Sequence, residues 1–445
     1  MIHELRILPP LAIARFGSAP TPMDNYDAVV RSEDPLGYRR LEPRATLELD
    51  VDSGEITRIF TPAEVSFMEG EEVRPVAPFV EVWALTGDEQ LTGGGQLEPL
   101  TPALLQVEGA SAAGLRWQVQ VSNLKVFRRT GHLNDRVIAD TDEFSDHVRR
   151  PLIGRCEHFL AGKTIGLGHV QAVRPTADHP EIRLRFTPAG GFVYGSDREP
   201  PPGAPSPDPN LADVVYDSAR GGWDGYGDPR GAQRNTAPPN IYAGRRAGGL
   251  HVSSGYLDDG CDGLVRVTLE LAGGRTLRAF GRIGAGPPTY APDAMPVRSI
   301  ADELEQALFG PAVEPDEATF ERVEEIVRRG LESVRLMNTA AWNVNENLTG
   351  SADVPIMDRS LVDVVTLTNL HQSLLVALRS GAAPWFADVL RNHDEAGDFR
   401  PPARRKMPAM MRGADAQLLA LTRRQVDLVR TLARAPLFPE DGRQP

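Results

Sequence analysis

Residues 264–283 read LVRVTLELAGGRTLRAFGRI, and this stretch determines the class of fold. Apolar residues from Val265 to Leu271 alternate with polar ones, and Gly273 and Gly274 follow before the alternation resumes. A period of two places apolar side chains on one face of a strand, and paired glycines favour a tight turn. The stretch therefore predicts a β-hairpin with one buried face.

The same alternation occurs upstream, where it predicts further strands. ATLELDVDSGEITRIF (45–60) alternates around an Asp-Ser-Gly turn, as expected for a second hairpin. FVEVWAL (79–85), LRWQVQVSNLKV (115–126) and EIRLRF (181–186) alternate in the same way. The chain up to about residue 295 is therefore expected to be rich in β-structure.

A helical period begins after Pro296. SIADELEQALFG (299–310) has apolar residues four apart, and similar stripes follow in 315–337, 360–381 and 384–391. The last predicted helix begins at Thr422, with Gln425 three residues on as a capping box.

The expected fold class is α+β, with sandwich-like sheets and hairpins followed by a helical portion. The predicted domains are a β-rich domain at 1–198, an irregular Pro/Gly-rich loop at 199–250, a hairpin region at 251–298 that packs on the β domain, and a helical domain at 299–445.

Composition excludes several classes of protein. The 445 residues carry a formal net charge of −13, so a nucleic-acid backbone would repel the chain. No window approaches the roughly 18 apolar residues of a membrane helix, and the start has no signal-peptide pattern. Two cysteines, Cys156 and Cys261, are too few for a disulfide framework. We therefore expect a cytoplasmic protein with reduced thiols, no nucleic-acid partner and no membrane contact.

The candidate site is GYLDDGCDG at 255–263, where four residues could contact a ligand: Tyr256, Asp258, Asp259 and Asp262. A calcium loop that began at Asp258 would need a glutamate at its twelfth position, where Leu269 stands. Acidic neighbours raise the pKa of a thiol, which argues against Cys261 as a nucleophile. Two interpretations stay open, a turn that leads into the hairpin and a polar rim beside a pocket.

Other chemistry-bearing patterns do not match known sites. AGKTIGLG (161–168) lacks the first glycine of a phosphate-binding loop, because Glu157 occupies that position. Histidines and a cysteine cluster between 132 and 158 without the spacing that zinc sites use. These residues are His132, His147, Cys156 and His158. We therefore predict no metal site and no nucleotide site.

The order of these motifs resembles that of a known family. GYLDDGCDGLVRVTLELAGGRTL (255–277), followed by GAGPPTYAPDAMPVRSIADEL (284–304), resembles the LodA-like quinoproteins, which include L-lysine ε-oxidases and glycine oxidases. ILPPLAIARFGSAP (7–20) resembles the opening strand of that family, and residues 406–433 resemble its Met-Pro and Leu-Thr-x-Thr-Gln-Tyr region. Pro78, Gln120, Arg424 and Val426 depart from the family pattern.

The resemblance implies an α+β scaffold, and it raises the question of the family's cofactor. Relatives form cysteine tryptophylquinone from a cysteine and a tryptophan in a domain that follows the last matching helix. The present sequence ends at Pro445, soon after that helix, and we find no matching pair in it, so we expect no built-in quinone and carry over no family catalytic residue.

The resemblance also frames the expected function. The first expectation is a scaffold that binds a small polar or amine ligand, or a partner protein, and an oligomer is possible. The alternative is an enzyme that acts on an amino acid or amine, either with a redox partner chain or by chemistry without a quinone. Asp258, Asp259 and Tyr256 would then be candidate ligands for an ammonium group, since carboxylates attract cations at close range.

Overall fold

The structure is a computed structural model, and it describes residues 1–70, 72–87, 95–197, 213–223, 244–247, 250–253, 257–286, 293–336, 364–380, 385–391, 406–408 and 420–434.

The strands in the first half of the chain are β1 (Ile2–Leu8), β2 (Leu11–Arg15), β3 (Tyr26–Val29), β4 (Arg40–Pro43), β5 (Thr46–Leu49), β6 (Ile56–Phe60), β7 (Met68–Glu69), β8 (Glu72–Val73), β9 (Phe79–Thr86), β10 (Gln96–Pro99), β11 (Leu115–Asn123) and β12 (Val137–Asp140). The later strands are β13 (Arg150–Gly154), β14 (Ile165–Ala172), β15 (Arg183–Thr187), β16 (Val193–Ser196), β17 (Asp213–Tyr216), β18 (Gly244–Ala247), β19 (Leu250–Ser253), β20 (Leu257–Asp258), β21 (Cys261–Glu270) and β22 (Thr276–Gly286). The helices are α1 (Pro102–Val107), α2 (Lys125–Thr130), α3 (Ser218–Gly221), α4 (Ile300–Phe309), α5 (Phe320–Glu332), α6 (Val364–Arg379), α7 (Phe386–Val389) and α8 (Arg423–Arg434).

Two larger sheets share one hydrophobic core. The six-stranded sheet has the order β1-β9-β15-β14-β13, with β10 also paired to β9, and the five-stranded sheet has the order β12-β11-β21-β22-β2. The core combines Val82 and Leu184 of the first sheet with Trp117 and Val267 of the second. Burial of these apolar faces against each other is the main stabilising contribution expected for such a pair of sheets.

The predicted hairpin is confirmed as β21 and β22. These strands are antiparallel from the pair Cys261–Ala285 to the pair Glu270–Thr276, with the two glycines in the turn. Val265, Val267 and Leu269 are buried, as the alternation predicts. The second predicted hairpin is also confirmed, as β5 and β6.

One predicted strand ends earlier than its alternation indicates. Residues 115–126 are predicted as a strand, but β11 ends at Asn123 and Lys125 begins α2. The side-chain Oδ1 of Asn123 accepts a hydrogen bond from the backbone N–H of Lys125 at 2.9 Å. Such local bonding by asparagine satisfies a free amide at a helix start, and it favours the turn over continuation of the strand.

The segment predicted as an irregular loop contains regular structure where it is described. Within residues 199–250, β17 and α3 form, and β18 pairs with β19. β17 joins β16 and β20 in a three-stranded sheet, which lies beside the shared core through Val215 and Leu257. The rest of 199–250 lies outside the described residues, and the predicted domain boundaries stay predictions.

Helices α5, α6 and α8 build a second hydrophobic core, which confirms the α+β class. Val327 of α5, Leu375 of α6 and Val429 of α8 pack in this core, and Thr422 and Gln425 form the predicted capping box. The predicted cap Ser360, the predicted helix end Gly381 and the predicted helix start Pro384 lie outside the described residues. Among the helices described, none has the length and apolar character needed to cross a bilayer.

The periodic stripe of α4 does not join this second core. Ile300, Leu304 and Leu308 are 77%, 57% and 75% exposed, although their spacing is that of an amphipathic helix. Ser299 caps the helix through a reciprocal bond with Asp302, so local signals account for the helix without burial of its stripe.

Candidate functional site

Two groups of buried polar residues lie at the two ends of α2. We call Asn123, Lys125, Asp258 and Asp259 the aspartate cluster, since Lys125 at the start of α2 pairs with Asp258. We call Thr130, Asp135, His158 and Tyr216 the Asp135 cluster, since Thr130 at the end of α2 donates to Asp135.

The three-stranded sheet also connects the two clusters. Asp258 lies on β20 and Tyr216 lies on β17, and these are the outer strands of that sheet. Asp258 pairs with Val193 and Tyr216 pairs with Ser196 on the central strand β16, so the two residues are two strands and three residues apart. The two clusters are therefore held by shared elements.

Asp258 is a buried carboxylate whose bonding is satisfied inside the protein. Its side chain pairs with Lys125 Nζ and accepts a hydrogen bond from the Gly260 N–H at 2.9 Å. Its backbone carbonyl accepts a hydrogen bond from Asn123 Nδ2 at 2.7 Å. A paired and hydrogen-bonded charge is the form in which proteins tolerate a buried carboxylate.

Asp259 is fully buried and only half of its carboxyl group has partners. Its Oδ2 accepts hydrogen bonds from the backbone N–H groups of Gly191 at 3.0 Å and Phe192 at 2.9 Å. Its Oδ1 is buried, and no described residue forms a hydrogen bond with it. Burial, followed by the charge of Asp258, raises the pKa of Asp259 to about 7. The aspartate cluster thus holds two carboxyl groups and one cation.

The four residues predicted to contact a ligand fall in different places. Asp258 and Asp259 lie together and buried, in the link between β20 and β21. Asp262 is exposed on β21, opposite Ser122 and Gly284 of the five-stranded sheet. Tyr256 lies outside the described residues. The site formed by the described members is therefore confined to Asp258 and Asp259.

Cys261 follows the aspartates and behaves as the sequence indicates. The thiol is buried and donates to the carbonyl oxygen of Leu167 at 3.7 Å. Burial, and then the charges of Asp259 and Asp262, raise the pKa of this thiol. Because the thiolate is the nucleophilic form, the side chain serves packing here and not nucleophilic attack.

The Asp135 cluster is a network around one fully buried carboxylate. His158 Nδ1 lies 2.8 Å and Tyr216 Oη 2.6 Å from Asp135 Oδ1, while Thr130 Oγ1 donates to Oδ2. Burial and the bond to Asp135 raise the pKa of Tyr216, so the phenol stays protonated and donates. When His158 donates from Nδ1 to a carboxylate, its Nε2 carries a lone pair that can accept a proton.

Packing fixes the rings of this cluster. The ring of Tyr216 meets the ring of Trp223 edge-on, with centroids 5.1 Å apart and an angle of 73°. Gly221 passes so close that a Cβ there would lie 1.9 Å from Tyr216 Oη and 2.7 Å from His158 Nδ1. Only glycine fits beside the histidine and the tyrosine at this point.

The sequence indicates none of this second cluster. His158 is separated from Asp135 by 23 residues and Tyr216 by 81, so no local spacing connects them. From the sequence, His158 was grouped with the other histidines of residues 132–158, for which no metal site is predicted. A signal that could have found the site is the glycine at 221 after the capping Asp217, which indicates a tight turn beside bulky side chains.

The thiols do not fit the precursors of cysteine tryptophylquinone, whose cysteine sulfur is bonded to an indole ring. Cys156 Sγ donates to the carbonyl oxygen of Asn134 at 3.2 Å, as Cys261 does to Leu167. Burial raises the pKa of Cys156 to about 11. Both sulfurs are thus placed as thiol donors. The absence of the quinone stays a prediction.

Neither a cluster of metal ligands nor a cleft extends the site within the described residues. Among the described residues, no three histidine, cysteine, aspartate or glutamate side chains lie together as metal ligands. A cleft of about 310 Å³ opens on the five-stranded sheet between Arg116, Arg266, Arg278 and Phe280. No member of either cluster lines this cleft, so its walls do not extend the site.

Comparisons with known proteins give only a distant likeness. No family model matches the chain, and no curated protein matches it. The structure of the epsilon-lysine oxidase from Marinomonas mediterranea matches with a TM-score of 0.35 and 13% sequence identity, covering 96% of this chain and 61% of that chain. The Schiff base intermediate of the L-Lys epsilon-oxidase from the same organism, with L-Lys, matches with a TM-score of 0.34 and 13% identity, covering 96% and 60%. The chain thus spans about three fifths of those proteins.

Proposed function

We propose that this chain binds a small ligand with an ammonium group and that Asp259 accepts that group. The observation that carries the proposal is the buried Oδ1 of Asp259, which has no hydrogen-bond partner. A buried polar atom without a partner costs free energy that a bound donor recovers. An amine fits better than a neutral donor, because Lys125 compensates only one of the two carboxyl groups.

The test is a binding titration with methylammonium, glycine and L-lysine against the neutral analogue acetamide. Wild type should bind the amines, and Asp259→Asn should lose about 10- to 100-fold in affinity, as expected for a hydrogen bond to a charged group. The matched control is Asp262→Asn, which removes an exposed carboxylate from the same stretch. Affinity should also rise between pH 6 and pH 8, since the carboxyl with a pKa of about 7 then ionises. Equal binding by wild type and Asp259→Asn would contradict the proposal.

A second candidate function is an enzyme that acts on an amino acid or amine, and the Asp135 cluster favours it. A histidine oriented by a buried carboxylate is the arrangement of a general base. In this function His158 accepts a proton at Nε2 while Asp135 stabilises the imidazolium, without a quinone. An oxidative version requires a separate redox chain.

Product release distinguishes the versions of this second function. Ammonia released from a panel of amino acids without hydrogen peroxide reports chemistry without an oxidant, and ammonia released together with hydrogen peroxide, with the visible spectrum, reports oxidation. His158→Asn should abolish any turnover, and His179→Asn should leave it unchanged. Turnover that survives His158→Asn would exclude the histidine as its base.

A further inference from the structure

Arg185 stands out on the face of the six-stranded sheet that points away from the shared core. Its neighbours Leu184 and Phe186 are fully buried in that core, so alternation directs Arg185 to the opposite face. Arg185 is mostly buried there, and its Nε is buried without a hydrogen-bond partner. The guanidinium carbon lies 5.0 Å from the ring centre of Phe79, its cross-strand neighbour.

The adjacent arginine on the same face is bonded quite differently. Arg183 Nε lies 2.7 Å from Glu81 Oε1, and its NH2 group lies 3.2 Å from Glu181 Oε2. Within the described residues no carboxylate pairs with Arg185 and no acceptor takes its hydrogen bonds. Arg183 therefore pairs with two carboxylates, whereas Arg185, two positions further along the same face, pairs with none in the described part of the chain.

An imidazole lies on the strand next to Arg185, and it is uncharged at neutral pH. His169 lies on the neighbouring strand β14, where it is paired across to Thr187. Burial, and then the charges of Arg149 and Arg185, lower the pKa of His169 to about 4. Burial alone lowers the pKa of Arg185 to about 10, with no opposing contribution from an acid. Within the described residues no carboxylate therefore compensates Arg185, although the whole chain carries a net charge of −13.

We propose that Arg185, with His169 beside it, binds a small oxyanion on the outer face of the six-stranded sheet. The buried Nε of Arg185 has no acceptor within the described residues, which is unfavourable, and a bound anion would supply one. The planar fork of arginine matches the two oxygens of a carboxylate or a phosphate, and the ring of Phe79 holds the fork in place. This proposal uses none of the residues of the aspartate cluster, so it stands apart from the ammonium site.

The experiment is calorimetric titration of the full chain with acetate and with inorganic phosphate, at constant ionic strength. We expect saturable binding of at least one anion, and the tighter of the two identifies the ligand class. Arg185→Gln should lose at least 10-fold in affinity, and Arg185→Lys should bind more weakly than wild type because it lacks the fork. The control is Arg6→Gln, which removes an exposed arginine of the same sheet that is already paired with Glu4, and it should change nothing. Absence of saturable binding to wild type, or equal binding by Arg185→Gln, overturns the proposal.

Thermal unfolding gives a second readout that does not depend on a stable binding assay. Without anion, Arg185→Gln should unfold at the same or a higher temperature than wild type, because it removes an unpaired charge. Added anion should raise the unfolding temperature of wild type and leave that of the variant unchanged. If Arg185 served only to pack on Phe79, the variant would unfold at a lower temperature in every buffer.

Binding should also change the titration of His169. An anion beside the imidazole favours its charged form, so nuclear magnetic resonance should show its pKa rise by at least one unit on addition of the bound anion. An unchanged pKa of His169 would place the anion elsewhere.

Discussion

Asp259 and Asp135 are both fully buried aspartates, and they differ in how many of their oxygens are used. Asp135 accepts from three side chains, His158 and Tyr216 on one oxygen and Thr130 on the other. Asp259 accepts from two backbone amides on one oxygen and from nothing on the other. Burial alone therefore does not separate a structural carboxylate from a candidate binding group.

The difference teaches how to assign a role to a buried charge. A carboxylate with both oxygens bonded positions its donors, so Asp135 holds the rings of His158 and Tyr216. A carboxylate with one free oxygen leaves a bonding position for a ligand, so Asp259 is the binding candidate. By the same argument, the buried Nε of Arg185, which has no acceptor in the described part of the chain, makes this arginine a candidate for binding an anion.

The largest expected effect comes from removal of the bonded carboxylate. Asp135→Ala removes the acceptor of the buried His158 and Tyr216, while Thr130 keeps the carbonyl oxygen of Val126 as an acceptor, and we expect the free energy of unfolding to fall by about 3–5 kcal/mol. Urea denaturation measures this change, with Asp140→Ala on an exposed position of β12 as the control. A loss no larger than that of the control would remove the distinction between the two aspartates.

The contribution of Asp259 to the free energy of unfolding should depend on pH. The pKa of Asp259 is about 7 in the folded protein, and an unfolded aspartate titrates near 3.9. Between these values the folded state binds the extra proton, so this contribution to stability is complete below about pH 3.9 and is lost as the pH rises through about 7. The stability of wild type relative to Asp259→Asn should thus decrease by up to about 4 kcal/mol from pH 4 to pH 8.

Denaturation curves of both proteins across that range check this prediction. The difference between them is the quantity to follow, since carboxylates with lowered pKa values, such as Asp302, act in the opposite direction in both proteins. If the stability difference between wild type and Asp259→Asn did not change with pH, Asp259 would be ionised over the whole range, and the charge on its second oxygen would be compensated inside the protein.

Local patterns allowed much of the fold to be predicted from the sequence. The hairpin of β21 and β22 follows from alternation and two glycines, and the start of α8 follows from Thr422 and Gln425, because each signal lies within a few residues. Helix α4 shows what local patterns do not predict. The spacing of its apolar residues predicts a helix, but it does not predict whether those residues are buried.

The sites were harder to predict, because packing creates them. Asp258 and Asp259 were found because they are adjacent in an acidic turn, although the sequence could not distinguish the bonded one from the other. His158 and Arg185 were missed as site residues, since their environments depend on residues brought together by sheet pairing. The short helix α2, which places Lys125 and Thr130 in the two clusters, was itself predicted as a continuation of a strand.

The smallest expected effect tests how the bonded aspartate shares its partners. Tyr216→Phe removes one of three donors to Asp135 and keeps the ring that packs on Trp223. We expect a loss of about 1–3 kcal/mol in the free energy of unfolding, the range for a hydrogen bond to a charged group. Tyr26→Phe is the control, since the hydroxyl of Tyr26 has no hydrogen bond within the described residues while its ring packs on Phe67. If Tyr216→Phe matched Asp135→Ala, the phenol alone would hold the carboxylate, and His158 would lack the firm orientation that a base requires.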